Sequence, residues 1–340
     1  MAHSDNNYTA QKASGPDIGS PWVWHPPLPM KGIPVLVFPP RPLEALRWLF
    51  SRGFFWSVLI PYGFSAVLTW YYLQPALERS ATLQTDWILL MIARNLVLIC
   101  FVAGGLHLYL YTFARQGATH KFDRQGLARN ARQFLLGDQV SDNIFWTCTS
   151  GVLLWTAYEV FFMWGYANDL LPALEWRDDP LWFVLLFIAI PFWSSLHFYF
   201  VHRWLHWKPL YRLAHALHHK NIRTGPWSGL SMHPLEHLLF YSSVLIHLVI
   251  DSHPIHILFH MHWLTLGTAV GHSGFHDLLV KGRSVFPLAD FRHQLHHRYF
   301  DCNYGTDLVP CDRWFGTYHD GTAEATARMM RRKCPASVSR

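Results

Sequence analysis

The sequence predicts an all-α integral membrane protein with about four transmembrane helices, a re-entrant helical hairpin and a cytoplasmic helical cap. Three observations carry that prediction. Of 340 residues, 51% are hydrophobic and only 15% charged, whereas a soluble domain carries about 25% charged residues. The apolar residues fall in long unbroken runs, which excludes a disordered or fibrous chain. Seventeen of the 23 histidines lie between His202 and His297, a density that neither packing nor solubility requires. The five cysteines, Cys100, Cys148, Cys302, Cys311 and Cys334, are scattered without CxxC spacing. They argue against a thiolate zinc site or a secreted disulfide scaffold, and for a reducing compartment.

Residues 1–53 are rich in Pro and Gly and lack the apolar core of a signal peptide, so they read as a cytoplasmic arm lying on the membrane. Residues 54–179 form an N-terminal transmembrane portion. Its uncharged run from Phe54 to Leu73 is the first span; Trp87 to Phe113, interrupted by Arg94, is the second; Asn143 to Tyr166, containing Glu159, is the third. Pro180 to Val201 is the fourth, 22 residues without a charge, where a crossing needs about 20. It opens a catalytic domain expected over residues 180–320. Within that domain Leu238 to Ile250 and Pro254 to Val270 are short for crossings, and Asp251, Ser252 and His253 separate them. They read as the hairpin. Residues 321–340 form a basic tail.

Lys and Arg accumulate on the cytoplasmic side of membrane proteins. Lys12, Lys31, Arg41, Arg47 and Arg52 precede the first span and only Arg79 follows it; Arg115, Lys121, Arg124, Arg129 and Arg132 follow the second, and only Arg177 the third. With 15 further Lys and Arg from His202 onward, both termini and the histidine-rich region are expected in the cytoplasm. The net charge of +6 fits anionic lipid headgroups. No nucleic-acid motif accompanies it.

The histidines follow a pattern. His202 and His206 (HRWLH) are four apart, as are His272 and His276 (HSGFH), a spacing that puts both rings on one face of a helix. His215, His218 and His219 form HALHH; His293, His296 and His297 form HQLHH. Crowded without a metal, such rings would repel when protonated and leave nitrogens unsatisfied when neutral and buried. Ten neutral imidazoles suffice for two metal ions, and imidazole suits iron, zinc, copper or nickel. In HPLEH, Pro234 should start a helix and leave His233 at its cap, off the face of His237. His233 is a candidate for a ligand or a supporting role, and His237 comes behind it. His247, His253, His256, His260 and His262 read as structural or pore-lining, and His197 as a contact to a headgroup or substrate. A helix from Pro180 to Trp207 would be about 42 Å long against a hydrocarbon core of about 30 Å. His202 and His206 then stand just beyond the bilayer, where a metal meets a lipid whose tail stays in the membrane.

HRWLH, HALHH, HPLE, HSGFH and HQLHH followed by Asn303, Tyr304 and Gly305 resemble the fatty acid hydroxylase superfamily, in its sterol desaturase branch, over about Pro180 to Tyr318. The resemblance implies a multi-pass membrane enzyme with a di-iron centre, using O2 and two electrons to hydroxylate or desaturate a lipid such as a sterol, a fatty acyl chain or an isoprenoid. It implies as metal ligands His202, His206, His215, His218, His219, His272, His276, His293, His296 and His297. Removing hydrogen from an unactivated carbon is beyond any side-chain acid or base, which agrees. Glu236 and Asp277, ahead of Asp290, Asp301 and Asp307, are candidates to accept the second N–H of a ligand ring. Asn303 and Tyr304 could complete the shell, although a turn is the plainer reading of Asn-Tyr-Gly.

The chain shows no GxGxxG, no CxxCH and no cysteine set for an iron–sulfur cluster. Electrons should therefore come from a separate donor, a cytochrome b5 or a ferredoxin with its reductase. Two other classes compete. A histidine-rich metal transporter would carry ionisable groups inside its spans, whereas these histidines cluster outside. A metal-dependent hydrolase needs about three ligands, far fewer than ten.

Overall fold

The computed structural model describes residues 21–333; Lys12 and Cys334, with the last residues of the basic tail from 334 on, lie outside the described residues. A short amphipathic helix, α1 (Pro42–Leu49), leads into the first long one, α2 (residues 55–73). Then come α3 (Thr85–Thr112), α4 (residues 139–167) and α5 (Pro180–Leu205). The four apolar runs therefore do become long helices. Two of them, α3 and α5, are long and apolar enough to cross a membrane; α2 and α4 carry more Tyr, Trp and polar groups. Only 28% of the most apolar stretch of α3 or of α5 is buried, with Leu89, Val97, Phe101, Leu181 and Val184 turned outward. A soluble core helix would hide that surface, and lipid would cover it.

The charges that interrupt two of the runs neutralise each other. Arg94 of α3 pairs with Glu159 of α4, both buried. Asn95 donates to Glu159 at 2.9 Å and to Thr156 at 3.1 Å, and the Trp155 indole N–H donates to Glu159 at 2.7 Å. Neither of these two charges is left unpaired against the apolar surroundings.

Helix α5 starts on Pro180, capped by the Asp179 carboxylate accepting from Trp182 N at 2.9 Å. Its 26 residues extend about 39 Å. After α6 (residues 208–218), the hairpin consists of α7 (Pro234–Tyr241), a 3₁₀ continuation Ser242–Leu248, and α8 (Pro254–Gly271). Its tip reaches the start of α5: Trp182 donates its indole N–H to the Asp251 carbonyl at 3.1 Å, and Ser252 N bonds to Pro172 O at 3.2 Å. The hairpin thus runs alongside most of α5. Nearly all of α8 is buried, Ile257, Leu258, Phe259 and Met261 completely. The histidines here bond to one another and to hydroxyls: His247 Nε2 meets His260 Nδ1 at 3.1 Å, and His260 Nε2 meets Ser194 at 2.9 Å and Ser243 at 3.0 Å.

The cap contains α6, α9 (Phe291–Tyr299), α10 (Cys311–Trp314) and α11 (Ala323–Lys333). The all-α expectation needs one correction. Strands β1 (Asp277–Val280) and β2 (Arg283–Pro287) pair antiparallel, joined by Lys281 and Gly282 with φ of 50° and 75°. Two successive positive φ values are the two-residue hairpin turn that matches strand twist. The described start of the arm is strapped across the cap. Met30 N bonds to Asp320 O and Ile33 N to Asp307 Oδ2, each at 2.9 Å.

Candidate metal centre

Four helix ends meet in the cap. His202 lies on the last turn of α5 with His206 just past it; α6 carries His215 and His218, with His219 at its end; His272 caps α8; α9 supplies His293, His296 and His297. Their ring nitrogens converge in two groups, each with all its ligand atoms within 4.8 Å of one another. One group is His202, His206, His215, His219 and His296; the other is His218, His272, His293 and His297. The groups adjoin, with the His219 and His297 ring centroids 5.0 Å apart. The split follows from helix geometry. Neighbours His218 and His219 project about 100° apart and so enter different groups, while His215 and His219, or His293 and His297, one turn apart, share one.

The far side of several rings is tied down. His202 Nδ1 donates to the Tyr304 carbonyl at 2.6 Å, His296 Nδ1 to the Cys302 carbonyl at 2.7 Å and His272 Nδ1 to the Thr268 carbonyl at 2.8 Å. His215 Nδ1 meets Glu236 Oε1 at 2.7 Å. A carbonyl only accepts, so His202, His272 and His296 carry their proton on Nδ1 and present Nε2 as a bare lone pair. Burial first, and neighbouring imidazoles second, hold His215, His218, His219, His293, His296 and His297 well below the usual histidine range. The rings are therefore neutral, the form that binds metal.

The inward nitrogens stand very close. Nε2–Nε2 separations are 3.1 Å for His202–His215, His206–His215, His206–His219 and His219–His296, and 3.2 Å for His206–His296. In the second group they are 2.9 Å for His272–His293 and 3.2 Å for His272–His297 and His293–His297. Rings that offer only lone pairs do not hydrogen-bond to each other, so this crowding is unfavourable until a cation sits among them. Two nitrogens about 2.1 Å from one ion and at right angles around it would be about 3.0 Å apart, and about 3.4 Å apart in a tetrahedron. The observed spacings, 2.9 to 3.2 Å, are those of nitrogens arranged around one ion, so the residues of each group fit a metal.

A cavity of about 450 Å³ opens onto both groups. His202 and His215 line it from one, His218, His272 and His293 from the other, and Tyr62, Phe198, Phe240 and Trp263 extend its wall as an apolar surface. A predominantly apolar recess with a few polar groups at one end is the usual form of a small-molecule site.

The fatty acid hydroxylase family model matches residues 183–317, the stretch that holds every histidine of both groups. Over that stretch the chain is similar to fatty acid hydroxylase domains, and the relatives it matches are named as sterol desaturases and a methylsterol monooxygenase. The delta(7)-sterol 5(6)-desaturase of Candida albicans is 32% identical over 144 residues, 41% of this chain and 34% of that protein. Methylsterol monooxygenase 1 of Gallus gallus is 32% identical over 152 residues, 42% of this chain and 50% of that protein. The delta(7)-sterol-C5(6)-desaturase of Nicotiana tabacum is 27% identical over 239 residues, 68% of this chain and 83% of that protein. The chain thus spans about a third to a half of the first two relatives. No solved structure matches it.

Within the matched residues 183–317, nine of the ten expected ligand positions come together. His276 does not join them. Helix α8 ends at Gly271, and Gly274 turns the chain at φ +78°, so HSGFH is not helical and its two rings part. The His276 ring stacks on Trp24 at 4.7 Å, and its buried Nδ1 has no hydrogen-bond partner among the described residues. Asp277 bonds to His120 rather than to a clustered ring. His233 caps α7, accepting from Leu235 N at 3.2 Å, while His237 packs on Tyr241 and bonds to Ser150. Asp290 and Asp307 hold Arg292, and Asp301 accepts from the Tyr304 hydroxyl. Asn303 adopts φ 51° and accepts from His319 N; Tyr304 packs its ring against His206 and His296.

The sequence reading missed the carbonyls of Thr268, Cys302 and Tyr304, which no side-chain pattern reveals. It also missed Asp312, whose carboxylate accepts from Tyr304 N at 2.9 Å and Gly305 N at 2.8 Å and so fixes the loop that holds His202. An acidic residue just inside a short helix shortly after the last motif was the available signal.

Proposed function

We propose that this chain is an O2-dependent membrane oxidoreductase that hydroxylates or desaturates a lipid C–H bond at a di-iron centre. The observation that carries the reading is the convergence of nine imidazoles, in two adjoining groups, on one end of an apolar cavity. His202, His206, His215, His219 and His296 would hold one ion, and His218, His272, His293 and His297 the other. Iron bound there supplies the electron-transfer chemistry with O2 that side chains lack. Glu236 and the carbonyls of Thr268, Cys302 and Tyr304 orient the rings; the apolar wall binds the lipid and excludes water. His276 stands beside the cavity, outside either ligand set.

Hydroxylation is the first choice and desaturation the second, since both start with removal of the same kind of hydrogen. The relatives are named for sterols, which favours a sterol-like lipid as substrate. Electrons come from a separate cytochrome b5-like or ferredoxin-like donor. Four spans with the termini and the metal centre on the cytoplasmic side accord with the basic loops. The basic residues 115–132 belong to a loop that packs on the cap, where Phe122 N bonds to Gly274 O at 3.0 Å, on the same side as the histidines.

The test is elemental analysis of detergent-purified protein, wild type against a His218→Ala, His296→Ala double variant that removes one ring from each group. About two metals per chain, lost in the variant, with lipid-dependent O2 consumption on adding a reductase, is the expected result. Full metal content and turnover in the variant, or activity without O2, would overturn the proposal.

A further inference from the structure

Helix α8 carries glycine at 267 and 271, and both line the cavity. Glycine in a helix costs about 1 kcal/mol relative to alanine, so each calls for a reason. Gly229 shows a packing reason, since a Cβ there would sit 2.6 Å from the Thr268 carbonyl oxygen. Gly274 shows a backbone reason, its φ of +78°. Gly271 has neither. Its backbone is helical, and a Cβ built on it meets no atom within 4 Å.

Gly271 is the residue before His272, a ring of the four-histidine group, and both line the same cavity. Gly267, one turn back on the same face, would bring a Cβ to 3.1 Å from the Trp263 ring and 3.5 Å from the Tyr62 hydroxyl, both cavity residues. Trp263, Gly267 and Gly271 thus form one stripe with spacing of four, flat over its last two turns toward His272. Glu236 marks the same cavity as a ligand site independently. It is 2% exposed, it lines the cavity, and its Oε2 has no hydrogen-bond partner among the described residues.

We infer that Gly271 is a specificity-determining position: its missing side chain leaves the width beside the metal groups that a flat fused-ring lipid needs and a single alkyl chain does not, whereas the missing side chain of Gly267 makes room for Trp263. The inference rests on the reading of this cavity as the substrate site. It assigns α8 the task of sizing the ligand, while the opposite wall, with Phe198 and Phe240, supplies apolar contact.

The experiment measures equilibrium binding of tritiated cholesterol and tritiated 1-hexadecanol to the metal-loaded protein in detergent. Both probes are uncharged alcohols, so width is the variable. For Gly271→Leu, cholesterol binding should weaken by about tenfold or more while hexadecanol stays within about twofold. Gly271→Ala should give a smaller loss, about threefold, confined to cholesterol. Metal content equal to wild type certifies the fold of each variant, and if the leucine variant loses metal the alanine variant decides. Equal losses for both probes, or no loss of cholesterol, would overturn the inference. Selective binding in a chain that oxidises no lipid would sink the oxygenase reading and leave the width gate standing; lipid oxidation with no selectivity at residue 271 would do the reverse.

Discussion

Glu236→Gln is the sharpest probe of how the centre is held. Glu236 Oε1 lies 2.7 Å from His215 Nδ1, with the two side chains 2% and 1% exposed. Water cannot replace the contact at that burial, and when the carboxylate becomes an amide the ring is left with an uncharged amide oxygen, a weaker acceptor for its Nδ1–H. Loss of a partner of this kind costs about 10–100-fold in metal affinity, or about 1.4–2.8 kcal/mol. His215 belongs to the five-histidine group alone. Competition against a graded series of chelators should therefore show one of two metals released earlier in the variant, and the other at the wild-type position. A Glu236→Leu variant, which leaves Nδ1 with no acceptor, should move the same metal further. If both metals loosen equally while the thermal melt stays unchanged, or if neither moves, Glu236 is not the anchor of His215 and the account of the outer partners fails.

Arg94→Leu or Glu159→Leu alone should destabilise the protein by about 3–5 kcal/mol, because each strands a buried charge, while the double variant should recover most of the loss; melting in detergent reads the cycle, and additive losses would refute the pairing. His276→Ala should keep two metals per chain by elemental analysis, since that ring lies on Trp24 apart from both groups; loss of one metal would restore it as a ligand.

Much of this arrangement is written in short-range spacing. Runs without charge become the long helices because a helix satisfies its own backbone and needs no pattern beyond apolarity. HRWLH, HALHH and HQLHH act as ligand carriers because each stays on one helix or its last turn, where spacing of three and four fixes direction. HSGFH fails by the same logic, since Ser-Gly ends α8 and the next residues lead into a strand. The strands were overlooked because Asp277–Val280 and Arg283–Pro287 are short, and Lys-Gly is a weaker turn signal than Asn-Gly. Arg94 and Glu159 each look like a flaw in an apolar run, and only their meeting across two helices, 65 positions apart in sequence, explains either.

What spacing could not show is which histidine serves which group. On α6 the pair His215 and His219 goes to the five-histidine group and His218 to the other; on α9 the pair His293 and His297 goes to the four-histidine group and His296 to the first. Each helix gives one face to one group and its adjoining face to the other, in opposite proportion. Neither group is complete without both helices, so the two ions would clasp α6 to α9 as well as act on a substrate. That reciprocity depends on where the helices cross, a tertiary fact. It also accounts for the tripled histidines in both motifs, where a single-metal site would have needed only a pair.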